Sequence, residues 1–243
     1  MKIGYKTHVG LVREHNEDSF LIIKEFYPKF CVFAVADGMG GHNAGEVASK
    51  MAIQGVKDFF MKNHDKDELI FNIKNVKHLI EKINYSIYEK AQNCLELNGM
   101  GTTLTMVISF NNKIHIIHIG DSRAYRINQN GIKQLTEDHS LVAELIKEGK
   151  ITKEEAITHP QKNVITRALG TDREINLDIY NYQFDSKDII LLCTDGLINS
   201  ISENKINDIV NKDIDFQQKA ENLINHANIN GGKDNITTII FQS

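Results

Sequence analysis

Residues 102–127 read TTLTMVISFNNKIHIIHIGDSRAYRI, and this stretch decides the fold. Three runs rich in β-branched residues, Thr102–Phe110, Lys113–Ile119 and Ser122–Ile127, follow one another with two residues between each pair. A parallel pair needs a crossover of a dozen residues or more, so consecutive runs this close imply largely antiparallel pairing. Asn130-Gly131 beyond them is a tight-turn signal, because both residues tolerate positive φ.

Working outward, the same signature marks Ile3–Val9, Ser19–Phe26 and Phe30–Ala36 before this stretch, and Glu174–Tyr182, Asp188–Cys193 and Asn235–Phe241 after it. Between the two groups, apolar residues recur at helical spacing over Ala44–Met61 and Asp67–Leu97. Asp65, Asp67 and Glu68 put negative charge at the start of the second helix, and Asn98-Gly99 stops it. Shorter helical patterns occupy Ser140–Lys147 and Phe216–Ala227. The order predicts an α+β fold, a four-layer α-β-β-α sandwich of two mainly antiparallel sheets flanked by helices.

The 243 residues hold 2 prolines and no proline-rich linker, so residues 1–243 are expected to form one domain. Net charge is -4 with no basic block, which argues against a nucleic-acid partner. No apolar stretch reaches the roughly 18 residues of a membrane span, and charges interrupt the N-terminus before a signal core could form. Cys31, Cys94 and Cys193 are odd in number and widely spaced, which suits a reducing cytoplasm better than a disulfide framework.

Chemistry concentrates where strands meet aspartates. Val32–Ala36 runs into Asp37-Gly38, Ile116–Ile119 into Gly120-Asp121, Ile189–Cys193 into Thr194-Asp195-Gly196, and Asp234-Asn235 opens the last strand. Strand ends hold a carboxylate rigidly, and glycine beside it lets backbone approach a ligand. Converging carboxylates stay ionised together only with cations present, and oxygen ligands select hard ions such as Mg²⁺ or Mn²⁺. Two such ions activate water for in-line displacement at phosphorus. Taken singly, each of these aspartates reads more readily as a turn residue than as a ligand; the residues alone leave the reaction open. HExxH, GxxxxGK[ST], GxSxG and a DxDxDG loop are all absent, and Gly38-Met39-Gly40-Gly41 lacks dinucleotide spacing.

Taken in order, Arg13-Glu14-His15-Asn16-Glu17-Asp18, Asp37-Gly38-Met39-Gly40-Gly41-His42, Gly101-Thr102-Thr103, Gly120-Asp121-Ser122-Arg123, Asp138-His139-Ser140, Thr166-Arg167-Ala168-Leu169-Gly170, Thr194-Asp195-Gly196-Leu197 and Gly231-Gly232-Lys233-Asp234-Asn235 resemble the motif series of the PPM (type 2C) metal-dependent serine/threonine protein phosphatases. The likeness is strongest to the stand-alone bacterial branch. It implies a dimetal-activated water attacking phosphoserine and phosphothreonine, with two Mn²⁺ or Mg²⁺ ions and a third weaker one. Asp37 matches the carboxylate bridging both ions, the Gly38 carbonyl a ligand of the second, and Asp195 and Asp234 the other carboxylates of the first. Glu17 and Asp18 match acids that orient metal-bound waters, and Asp121 with Asp195 matches the third-ion pair. Arg13 matches the phosphate-binding arginine.

The resemblance also marks residues 140–164 as a flap beside the active site and implies phosphoprotein partners, among them a serine/threonine kinase. A cytoplasmic monomer with no membrane anchor is expected. The chain departs from some members at Met39, where they carry histidine; the general acid is then His42 or a water on the metals. Two rivals stand beside this reading: a catalytically dead scaffold, which would have lost ligand aspartates, and a hydrolase for another phosphate ester.

Overall fold

β3 (Cys31–Met39) is buried on both faces, with no side chain from Cys31 to Ala36 more than 1% exposed. Because successive strand residues point to opposite sides, Val32, Ala34 and Ala36 enter one apolar cluster while Cys31, Phe33 and Val35 enter another. A strand with two buried faces has to lie inside a layered structure. In this computed structural model, which describes residues 1–41, 44–66 and 72–242, that is where it lies.

One sheet runs β2 (Asp18–Ile23), β3, β5 (Leu104–Phe110), β6 (Lys113–Ile119), β9 (Asp178–Gln183), with β4 (Gly101–Thr102) on the end of β3. The other runs β1 (Lys2–His8), β11 (Ile236–Gln242), β10 (Ile189–Cys193), β7 (Arg123–Asn128), β8 (Gly131–Gln134). The strand pairs described are antiparallel. Phe33 of β3 stacks on Phe241 of β11 with ring centroids 3.9 Å apart, joining the two sheets. Each buried aromatic of this kind contributes on the order of 2–3 kcal/mol.

Helices α1 (Ala44–Asn63) and α2 (Ile73–Asn93) cover the outer face of the first sheet. Ala48, Ala52, Val56 and Phe60 recur every four residues on α1 and are fully buried. The second sheet is covered by α5 (Asp195–Ile198), α6 (Glu203–Val210) and α7 (Phe216–Ile229). The four layers are those the sequence predicts.

Several details differ. The acidic start expected at Asp67 and Glu68 lies outside the described residues; α2 as described begins at Ile73, where the Asn72 side chain accepts from the Lys74 amide at 3.0 Å. Its end comes at Asn93, and a 3₁₀ turn over Leu95–Leu97 carries the chain to Gly99, which has φ +74°. The hairpin loop is Gln129-Asn130, since Asn128 pairs with Gly131, and only Gly131 takes positive φ there. Residues 174–177 form no ladder, although Ile175 and Leu177 pack on the helical core.

The segment 140–164 holds α3 (Leu141–Lys147) and α4 (Lys153–Thr158). Ser140 caps α3, and Thr152 with Glu155 forms a capping box on α4. A bridge between Ser140 and Ile165 and a 2.9 Å bond from the Leu141 amide to the Val164 carbonyl bring the segment's two ends together. It leaves the sandwich and returns at one point.

Candidate active site

Strand register gathers the predicted aspartates at one end of the sandwich. Asp18 pairs directly with Asp37 across β2 and β3. Cys193 pairs with Thr238 across β10 and β11, so Asp195, just after β10, and Asp234, just before β11, leave their sheet at the same end. Asp121 follows β6, which also ends there.

Glycines permit the close approaches. A β-carbon on Gly38 would stand 2.1 Å from the Gly45 carbonyl oxygen, so only glycine lets α1 start against the end of β3. One on Gly196 would meet the Asn235 carbonyl oxygen at 2.0 Å, which ties the loop carrying Asp195 to the loop carrying Asp234.

Hydroxyls and one amide then fix the acids. The Asp37 amide donates to Thr103 Oγ1 at 2.9 Å, while the Thr103 amide and the Thr102 hydroxyl both donate to the Asp37 carbonyl at 2.9 Å. This clamp interrupts the expected single strand Thr102–Phe110 at Thr103. Asp18 Oδ2 accepts from Thr194 at 2.9 Å and Thr237 at 2.7 Å, both from the opposite sheet. Asn235 accepts from the Glu17 amide at 2.8 Å and donates to the Val9 and His15 carbonyls at 2.8 and 2.9 Å, which sets the loop bearing Arg13. Asn199 donates to Asp195 Oδ2 at 3.0 Å.

Thr194, Thr237, Thr103, Asn199 and Asn235 were not assigned roles from sequence. Polar residues within otherwise apolar strands were the available signal, because a buried hydroxyl needs a partner.

The charge balance is poor for a folded protein. Burial, then the neighbouring acids, holds Asp37 well above the usual carboxylate range. Burial likewise raises Asp18 to about 7, with hydroxyl bonds from Thr237 and Thr194 pulling against it. Asp121 is raised to about 8 and Asp195 to about 6, again through burial first and acidic neighbours second. Glu17 is raised by burial as well.

Arg13 is the cation that answers them, forking onto Asp234 with Nη2 3.0 Å from Oδ2 and Nε 3.0 Å from Oδ1. Asp18 Oδ1, Asp121 Oδ1 and Glu17 Oε1 are buried with no hydrogen-bond partner among the described residues. Oxygen atoms left this way suit hard divalent cations. Even so, among the described residues no three acidic, histidine or cysteine groups already stand closed around one point. The acids are gathered at one end of the sheets without enclosing a single point.

The structure therefore brings Arg13, Glu17, Asp18, Asp37, Gly38, Asp121, Asp195 and Asp234 to one end. His42 lies outside the described residues. The segment 140–164 is joined to this end through its base: the His139 amide donates to the Gly120 carbonyl at 2.8 Å, and the Gly120 amide donates to His139 Nδ1 at 3.0 Å.

Residues 11–240 match the family model described as protein phosphatase 2C. The serine/threonine phosphatase stp of Listeria welshimeri is 38% identical, over 100% of this chain and 96% of that protein. The serine/threonine phosphatase Stp1 of Staphylococcus aureus superposes with a TM-score of 0.92 at 36% identity, covering 100% of this chain and 95% of that one. The catalytic domain of the phosphatase PstP, solved with two manganese ions, gives a TM-score of 0.85 at 32% identity, covering 98% and 96%. Motif order, sandwich, carboxylate cluster and full-length likeness agree: the chain belongs to the protein phosphatase 2C family.

Proposed function

We propose that this member of the protein phosphatase 2C family hydrolyses phosphoserine and phosphothreonine esters of proteins by direct attack of water, without a phosphoenzyme. The observation that carries the reading is the gathering of buried, under-neutralised carboxylates beside a two-pronged arginine at one end of the sheets. Asp37, Asp195, Asp234 and the Gly38 carbonyl would hold two divalent ions, Mn²⁺ or Mg²⁺, and Asp121 with Asp195 a weaker third. Bound there, the ions supply Lewis acidity: they activate water near neutral pH and draw charge from the phosphoryl oxygens.

The chain's own residues do the rest. Asp18, fixed by two threonine hydroxyls, and Glu17 orient the attacking water. Arg13 offers two parallel N–H groups, which fit two phosphate oxygens as well as they fit the two oxygens of Asp234. Positioning and charge stabilisation are most of what phosphoryl transfer asks of a protein. His42 or a water protonates the leaving alkoxide. The flap over residues 140–164 tunes substrate choice, and the whole of residues 1–243 acts as one catalytic domain.

Phosphoproteins are the substrates in this reading, with a serine/threonine kinase as the opposed partner, and the enzyme works as a cytoplasmic monomer. Among the described residues no helix is long and apolar enough to cross a membrane.

The test is hydrolysis of p-nitrophenyl phosphate and a phosphothreonine peptide with Mn²⁺, Mg²⁺ or EDTA, for wild type and Asp37→Ala. Metal-dependent turnover of both substrates, lost in the variant, is expected. A folded, Mn²⁺-loaded wild type without activity would overturn the reading.

A further inference from the structure

The far end of the sandwich carries charge of the opposite sign. β11 runs from the Asp234 end at Ile236 to Gln242, and at about 3.4 Å a residue this separates the two ends by roughly 20 Å. There a cavity of about 780 Å³ opens between the ends of β1, β10 and β11 and the start of α7. Four of its lining side chains are lysines, Lys2, Lys187, Lys212 and Lys219, against the two acids Asp213 and Asp215. Asp215 is already engaged, its Oδ1 accepting from the Gln218 amide at 2.9 Å as the cap of α7.

Lys219 is the buried member. It sits on the buried face of α7, only 6% exposed, and its side chain forms no hydrogen bond or ion pair among the described residues. Its four-carbon stem is buried while its ammonium reaches the cavity, the usual way lysine carries its charge to water. Here the ammonium rests 4.8 Å from the centre of the Phe216 ring, and Lys2 reaches the same ring at 6.0 Å. Burial and the repulsion of Lys2 hold Lys219 below the usual lysine range, with Asp213 opposing them more weakly. Two ammonium groups share one ring and one wall, and of the two acids there only Asp213 is not engaged as a helix cap.

We propose that this cavity is a second binding site, separate from the carboxylate end, that takes a small organic phosphate. Its phosphate lies between Lys219 and Lys2, and its organic part rests on Phe216 and Ile3. Lysine binds phosphate as a point charge and needs no forked geometry. The volume falls within the range of small-molecule sites, which runs from about 300 to 1,000 Å³. A concave shape with both apolar and cationic walls favours a small ligand over a flat protein surface.

The test is calorimetric titration of the full chain, in excess Mg²⁺, with methylenediphosphonate and β,γ-methylene-ATP. Wild type, Lys219→Met, Lys2→Gln and Arg13→Ala are compared, and p-nitrophenyl phosphate turnover serves as the check that the lysine variants are folded. Saturable binding is expected, tighter for the nucleotide analogue because of its organic part. It should weaken about tenfold or more in each lysine variant, whose turnover stays at the wild-type level, and persist in Arg13→Ala. Lys2 lies on the exposed rim, so Lys2→Gln keeps the test open if Lys219→Met fails to fold. Absence of binding at millimolar ligand, or binding lost in Arg13→Ala and kept in both lysine variants, would overturn the proposal.

Discussion

Two sets of aspartates sit within one rigid frame and are treated in opposite ways. At the base of the segment 140–164, Asp178 receives Arg167 at 2.9 Å and the Tyr180 hydroxyl at 2.9 Å, with His139 Nε2 at 3.2 Å. Burial alone would raise it, yet those partners bring it down to about 2. Asp138 is gripped by Arg123 through three contacts of 2.8, 3.0 and 2.6 Å. At the sheet ends, Asp18, Asp37, Asp121 and Asp195 have hydroxyl, amide or acidic neighbours, and all four are raised. The chain can place arginines beside buried acids where it needs to. None of these four is hydrogen-bonded to an arginine; Arg13 and Arg123 reach Asp195, and Arg123 reaches Asp121, through their field alone, a balance that a bound cation would complete.

The comparison can be broken most severely at Asp37. Asp37→Asn should lower metal-dependent turnover of p-nitrophenyl phosphate by about 10³-fold or more, the scale on which transition-state stabilisation is lost. An undiminished rate would remove the sheet-end acids from the chemistry.

Stability should respond with opposite signs in the two sets. Asp178→Asn strips Arg167 of its carboxylate and should cost about 1–3 kcal/mol in denaturant unfolding. Asp121→Asn removes a buried like charge and should raise the midpoint of the metal-free protein. If both substitutions destabilised the metal-free chain equally, the distinction between the sets would fall.

A smaller effect is expected behind the acids. Thr194→Val or Thr237→Val each takes one hydroxyl from Asp18 and should weaken Mn²⁺ binding about tenfold, measured by titration. Unchanged affinity in both would show that Asp18 needs no such anchoring.

The mildest test is pH. An acid whose folded pKa is raised keeps its proton where the unfolded chain has lost it, so metal-free stability should fall as pH rises from about 4 towards the folded values of about 6 to 8, then level off. Asp178 acts the other way: its contribution is present above pH 4 and is lost as pH falls towards 2. Thermal melts across pH, with and without Mn²⁺, should show the neutral-pH decline only in the metal-free protein. A decline of equal size with Mn²⁺ bound would detach it from the sheet-end acids.

The convergence of Asp37, Asp121, Asp195 and Asp234 at one end was readable because each stands where an apolar run stops or starts, whereas Glu17 and Asp18 entered through the family resemblance alone. Their supporting threonines were less so, since Thr194 and Thr237 look like ordinary residues of an apolar run until the packing of the two sheets brings them to Asp18. The layered architecture followed from short turns such as Asn111-Asn112, whose residues both take positive φ. What escaped was short: β8 has four residues, α5 four and α6 eight, too few for a period to emerge. Residues 174–177 misled for a different reason. Their apolar side chains serve a helical core, and apolar content alone does not create a ladder partner.

The most direct measurement is a Mn²⁺ titration of the metal-stripped chain, counting ions and protons together. The account predicts two ions bound with release of protons from the sheet-end acids, and loss of that uptake in Asp37→Asn. No saturable uptake at millimolar Mn²⁺, or the same uptake in Asp37→Asn as in the wild type, would contradict it.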